Sequence, residues 1–198
     1  VTESASNQDL ARFVPAEVAN LIKTSDDGVE VGSGEPREAT VLFLDLEGFT
    51  TLSERLAPQD LVRTLNAFYA AVAEPITRHD GVITQFQGDA IVATFNAPRL
   101  NADHAANAIQ AALDIQALLQ ERTFGEGLAL RARIGINTGV VIHGLIGTPD
   151  RLGYTVIGDE VNIAARLEAL NKTYATSIIV SESTRDHAGP QRFAFALL

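Results

Sequence analysis

Apolar and polar positions alternate along this chain with periods that change sharply from one segment to the next. Asp9 to Lys23 carries Leu10, Phe13, Val14, Val18, Leu21 and Ile22 at helical spacing, interrupted by Pro15, and a polar, glycine-rich stretch from Ser25 to Pro36 follows. Ala39 to Leu44 is an almost continuous apolar run ending on Asp45, which predicts a strand buried on both faces. Gly48 and Thr50 open a helix, and Pro58 starts a longer one with Leu61, Leu65, Phe68 and Val72 on one side, closing at His79-Asp80-Gly81. Val82 to Gln87 and Ala90 to Phe95 read as a β-hairpin turning at Gly88-Asp89. A helix covers about Ala102 to Arg122, and then the period becomes two. Leu128, Leu130, Ala132, Ile134 and Ile136 predict a strand with one buried and one open face, with Val140 to Ile146 as its hairpin partner. Asp159 to Tyr174 is a third helix of this region and Ser177 to Val180 a last strand. The order predicts an α+β, ferredoxin-like βαββαβ sandwich with helices on one side of an antiparallel-rich sheet.

Composition narrows what such a fold can do. With 198 residues, 46% of them apolar, the chain can bury one sizeable core, so residues 1–36 are expected to be a connector helix and flexible link, and 37–198 a single domain. Fifteen basic against 25 acidic residues give a net charge of −10, which opposes binding to nucleic acid or an anionic membrane. A polyphosphate ligand would therefore need metal cations. The absence of cysteine excludes a disulfide framework and fits a reducing, cytoplasmic compartment. No apolar run approaches the ~18 residues of a membrane span, so no direct membrane contact by this domain is expected. Methionine is missing even at position 1, and the expectation is a domain cut from a longer, membrane-anchored or multidomain parent.

Several polar residues stand where chemistry needs them. Asp45 ends a buried strand and Asp89 sits at a hairpin tip; side by side they would offer oxygen ligands to Mg²⁺ or Mn²⁺. By spacing alone they are equally a helix cap and an ordinary Gly-Asp turn. Gly48-Phe49-Thr50 lies at a helix entrance, where free N–H groups favour phosphate. Asn162 and Arg166, four apart, share a helix face at the rim of the stripe Ile163, Leu167 and Leu170. They fit either a site across an interface or a solvated surface. Arg133, on the polar side of its strand, would reach phosphate or balance the acidic surface. No Gly-x-x-x-x-Gly-Lys-Ser/Thr is present, which removes a P-loop.

Taken in order, these segments resemble the class III adenylyl and guanylyl cyclase catalytic domain. The matches are Phe43-Leu44-Asp45-Leu46-Glu47-Gly48-Phe49-Thr50, Gln87-Gly88-Asp89-Ala90, Arg133-Ile134-Gly135-Ile136-Asn137-Thr138-Gly139, and the run from Tyr154-Thr155-Val156-Ile157-Gly158-Asp159 through Asn162 and Arg166 to Glu168. They span about Ala39 to Val180, and Arg12-Phe13-Val14-Pro15 looks like the connector that often precedes such domains in bacterial receptors. The resemblance implies two Mg²⁺ or Mn²⁺ ions per site on Asp45, Asp89 and the carbonyl of Leu46. It further implies that Asn162 orients the ribose, Arg166 stabilises the α-phosphoryl charge and Arg133 binds the triphosphate. Asn and Arg come from the partner subunit in that family, so a homodimer with shared sites is implied. The implied function is an adenylate cyclase making cyclic AMP from ATP in bacterial signal transduction, with a guanylate or relaxed-specificity cyclase, or an inactive nucleotide-binding dimerisation module, as alternatives. A diguanylate cyclase is excluded, since Gly88-Asp89-Ala90-Ile91 is not its Gly-Gly-Asp/Glu-Glu-Phe turn.

The chain leaves the family pattern at three places. Gln85 and Thr155 stand where lysine and often aspartate read the base, the threonine as in the bicarbonate-responsive bacterial subgroup. The expectation is also that the chain stops before the family's final lysine-bearing segment.

Overall fold

The computed structural model describes residues 34–148 and 151–198, so the helix expected over Asp9 to Lys23 and the link as far as Ser33 lie outside the described residues. Gly34, Glu35 and Pro36 already belong to the first strand. That strand, β1 (Gly34–Leu46), is followed by α1 (Phe49–Arg55), α2 (Pro58–Arg78), β2 (Val82–Gln87), β3 (Ala90–Phe95) and α3 (His104–Glu121). A short β4 (Thr123–Phe124) and β5 (Leu128–Ala129) form a separate two-stranded ladder. Then come β6 (Ala132–Thr148), β7 (Arg151–Ile157), α4 (Asp159–Tyr174), β8 (Ile178–Val180) and α5 (Glu182–Ala188). The main sheet runs β2-β3-β1-β6-β7, with β8 pairing β6 in parallel beside β7, an α+β architecture of the kind the sequence predicts.

Two expectations about β6 are corrected. Ala132 to Thr148 is one strand rather than a hairpin folded at Asn137-Thr138-Gly139, because β1 is long enough to pair along nearly all of it, from Gly34↔Gly144 to Leu46↔Ala132. In that register Gly139 faces Ala39 within the ladder, and the hairpin partner is instead β7, from Ile142↔Ile157 to Thr148↔Arg151. The strand also has no open face in its first half. Ile134 and Ile136 enter the main core with Leu42, Leu44, Phe68, Ile91, Phe95 and Ile115, whereas Gly135 and Asn137 on the other face are covered by α4. Helices therefore lie on both faces of the sheet.

Glycine is what allows the second layer. A Cβ at Gly135 would stand 2.1 Å from the carbonyl oxygen of Ala164 and 2.3 Å from the nitrogen of Glu168, so α4 rests directly on the strand's backbone. One turn further along, Glu160 occupies the space above Gly139, where a Cβ would approach its carboxyl carbon to 2.4 Å. Asn137 donates to Glu160 Oε2 at 2.5 Å and to its carbonyl at 3.2 Å, satisfying an amide that is almost fully buried. The face that α4 buries is accordingly Ala164, Glu168 and Asn171, not the apolar stripe Ile163, Leu167, Leu170. Leu170 is in fact exposed.

The other layer is fixed by a buried chain of hydroxyls and one imidazole. Thr40 Oγ1 lies 2.7 Å from both His104 Nδ1 and Thr138 Oγ1, and Thr138 Oγ1 lies 3.0 Å from Thr184 Oγ1. β1, β6, α3 and α5 are thus joined at one point, beside the large buried side chains that contribute about 1.5–3 kcal/mol each.

Candidate active site

Asp45 and Arg133 are direct cross-strand neighbours on β1 and β6, on the face that α4 covers. Arg133 Nη2 donates to Asp45 Oδ2 at 3.1 Å, and its Nε donates to Glu168 Oε1 at 2.8 Å. Asp89, at the tip of the β2–β3 hairpin, completes the group: burial, and next the negative charge of Asp45, push its carboxyl above the ordinary aspartate value. Burial likewise raises Glu168, against the pull of Arg133. Arg133 itself feels burial in the opposite sense, but the two carboxylates it bonds hold its pKa above the usual one.

The hairpin tip is held from below by α2. The hydroxyl of Tyr69 donates to the carbonyl of Gly88, and its ring lies 4.8 Å from that of Phe86. Gly88 adopts φ +63°, a conformation that favours glycine, so the turn presenting Asp89 is specified by its own sequence as well as by Tyr69. Leu46 turns its side chain into the core at 2% exposure, leaving only its backbone for the site. Of the Gly48-Phe49-Thr50 segment, Gly48 and Thr50 are exposed and Phe49 packs partly against the main core. Gly48 takes φ +75° with nothing within 4 Å of a Cβ, so the chain turns from Asp45 into α1 through open space.

These donors fit a hard divalent cation. Two carboxylates converge and repel each other, and the nearest positive group, the Arg133 guanidinium, bonds the one that a cation would claim. Among the described residues no set of three His, Cys, Asp or Glu side chains forms a metal site. Asp45 and Asp89 could hold such a cation only within a shell completed by other oxygen ligands.

Gln85 and Thr155 form a second group. They belong to β2 and β7, at opposite ends of the strand order, yet Gln85 Nε2 donates to Thr155 Oγ1 at 2.5 Å. Gln87 donates in turn to Gln85 Oε1. Asn162 and Arg166 are both exposed on α4. At about 100° per residue Arg166 lies roughly 200° around the helix from Glu168, and Asn162 lies within about 40° of Arg166. Both thus point away from their own Asp45 and Arg133, which Glu168 faces.

Sequence reasoning gave Glu168 and Gln87 no role beyond their places in the matched motifs and did not single out Tyr69. For Glu168 a signal exists: with Ala164 and Asn171 it forms a small-and-polar stripe at helical spacing, matched by Gly135 and Gly139 four apart on β6. Gln87 opens one of the matched motifs, whereas Tyr69 carries no comparable signal, since it acts through a contact set by packing alone.

A family model described as the adenylate and guanylate cyclase catalytic domain matches residues 31–197. Adenylate cyclase 1 of Rhizobium meliloti is 37% identical over 180 residues, which is 86% of this chain and 26% of that protein. The adenylate cyclase of Anabaena cylindrica is 36% identical over 194 residues, covering 94% of this chain and 38% of that one. The chain spans only those parts of its relatives' length. Among solved structures, the guanylyl cyclase Cya2 is 39% identical with a TM-score of 0.71, over 79% of this chain and 80% of that one. A bacterial light-regulated adenylyl cyclase is 27% identical with a TM-score of 0.83, over 94% of this chain and 55% of that one.

Proposed function

Since the chain belongs to the adenylate and guanylate cyclase catalytic domain family, we infer that it closes ATP to 3′,5′-cyclic AMP and pyrophosphate in a homodimer. The observation that carries this reading is the convergence of Asp45 and Asp89 beside Arg133, with Asn162 and Arg166 facing the other way on α4. One chain then holds two half-sites, and a second copy must bring its Asn162 and Arg166 to the first copy's carboxylates. Val140 and Ile142 on β6 and Ile157 on β7 support the pairing. They are exposed apolar side chains, 61%, 47% and 50% accessible, with Ile142 directly opposite Ile157.

Two divalent cations, Mg²⁺ or Mn²⁺, on Asp45, Asp89 and the Leu46 carbonyl would supply activation of the ribose 3′-hydroxyl and neutralisation of the phosphates. Arg133 binds the triphosphate, with N–H groups left over from its bonds to Asp45 and Glu168. Asn162 holds the ribose so that its 3′-oxygen faces the α-phosphorus in line with the leaving pyrophosphate. Arg166 stabilises the charge that develops on the α-phosphoryl oxygens. Gly48 and Thr50 edge the phosphate end, and the domain acts in intracellular signalling.

Base choice falls to Gln85 and Thr155. An amide and a hydroxyl each donate and accept, so neither excludes a base by charge. ATP is preferred with measurable use of GTP, a relaxed specificity that the 39% identity to a guanylyl cyclase also favours. Discrimination of roughly tens-fold to a few hundred-fold follows from one or two polar mismatches. Turnover of each of the four nucleoside triphosphates with Mg²⁺ or Mn²⁺, in wild type, Gln85→Lys and Gln85→Glu, tests the reading. The lysine is expected to sharpen ATP preference and the glutamate to shift it toward GTP. A wild type that turns over none of them overturns the cyclase assignment, and ratios indifferent to position 85 overturn the base pocket.

A further inference from the structure

Glu168 is a carboxylate at 6% exposure that points from α4 onto β6. Its side chain bonds Arg133 Nε at 2.8 Å, and it faces two further carboxylates, whose charges add to the effect of burial in raising its pKa. A lone packing role suits an apolar residue better, because a buried carboxylate costs stability unless a bond holds it. The bond it makes is directional. It takes the inner nitrogen of the guanidinium and leaves the outer pair, of which one reaches Asp45 Oδ2 at 3.1 Å.

The geometry points to Glu168 as a positioning residue that holds Arg133 by its Nε, so that Nη2 can leave Asp45 and both outer nitrogens meet the triphosphate. Without Glu168 the guanidinium is free to take Asp45 with both ends, in the two-point geometry arginine favours. It would then block a cation ligand and lie out of reach of phosphate. Glu168 therefore sets the competition at Asp45 between guanidinium and cation, and acts on nucleotide through Arg133. This rests on the cyclase reading, and it goes beyond it in giving a role to a residue that touches neither cation nor nucleotide.

Charge alone makes the opposite prediction for the nucleotide. Neutralising an acidic side chain near a triphosphate strengthens phosphate binding, whereas losing the anchor of Arg133 weakens it. The experiment compares wild type with Glu168→Met, which removes the acceptor together with the charge, using Mn²⁺ binding followed by electron paramagnetic resonance without nucleotide, and calorimetric binding of α,β-methylene-ATP, which cannot be cyclised, at saturating Mn²⁺. The variant is expected to bind the analogue roughly tenfold more weakly and Mn²⁺ several-fold more weakly. Analogue binding unchanged or tightened overturns the inference. Glu168→Asp, which keeps the charge but is one methylene too short for Nε, is expected to show the same weakening. It also stands in if the methionine variant does not fold, and normal analogue binding by Glu168→Asp likewise overturns the inference. A wild type that binds neither Mn²⁺ nor the analogue refutes the cyclase reading itself, whereas a wild type that binds both beside an unaffected variant refutes this inference alone.

Discussion

Asp45 and Asp89 are both carboxylates at one site, but the fold treats them differently. Asp45 has Arg133 opposite it across the ladder, so its charge is compensated in the metal-free protein. Asp89 is pushed toward its neutral form by burial and by Asp45. Asp89→Asn relieves that repulsion, and differential scanning without divalent cations should show a melting temperature raised by roughly 1–3 °C, with activity lower by about a hundredfold or more. Asp45→Asn should lose activity equally but gain no stability, because it removes Arg133's partner. A lower melting temperature for Asp89→Asn, or undiminished turnover in either variant, would contradict this account. Both aspartates were legible in the sequence from their places at a strand end and a hairpin tip. The difference between them was not, because it depends on a guanidinium 88 residues from Asp45 in sequence.

At the scale of elements, the contact between α4 and β6 positions Glu168, Asn162 and Arg166 together. Gly135→Ala puts a methyl group into the backbone of Ala164 and Glu168, which a side-chain rotation cannot relieve. It is expected to destabilise the protein by about 3 kcal/mol or more and to lower activity out of proportion to the folded fraction, since all three residues shift with the helix. Chemical denaturation alongside turnover checks this, and near-wild-type values of both would show that α4 does not rest on the strand. On the other face, His104 joins α3 to β1. Burial holds its pKa below that of an ordinary histidine, although Glu38 and Asp103 pull it upward and His187 pushes it further down. The folded state thus binds fewer protons than the unfolded one below about pH 6.5, and stability should be complete above that value and fall as pH drops through it. His143, lowered by burial and Arg37, contributes in the same direction. A His104→Gln variant should show a shallower loss of melting temperature between pH 7.5 and 5.5; an unchanged slope would place the effect elsewhere.

At the scale of the molecule, the orientation of α4 bears on the proposed homodimer. The buried stripe Ala164, Glu168, Asn171 turns Asn162 and Arg166 outward, so within one chain they do not meet Asp45 and Asp89, as the proposed shared site requires. Asp45→Ala and Arg166→Ala, each nearly inactive alone, are expected to recover activity when mixed, because the mixed dimer holds one site with both defects and one with neither. Subunit exchange confirmed by differential labelling, with no return of activity, would rule out the shared site. Among the described residues no helix is long and apolar enough to cross a membrane.

The elements whose signal is local were determined by the sequence itself. The β2–β3 hairpin and α4 fall where Gly88-Asp89 and the run from Asp159 to Tyr174 put them, because turn chemistry and helical spacing act over a few residues. The four ordered motifs likewise singled out Asp45, Asp89, Asn162 and Arg166 as candidates. Only the tertiary structure decided that Asn137-Thr138-Gly139 runs straight on in β6, since a turn signal yields when thirteen residues of β1 are available to pair with the strand. It alone brought Gln85 to Thr155 from opposite ends of the strand order. It also turned a charged residue, Glu168, inward in place of the apolar stripe Ile163, Leu167, Leu170, because a helix lying on glycine buries whatever side chains meet the strand, and Arg133 there offers the partner a buried carboxylate requires.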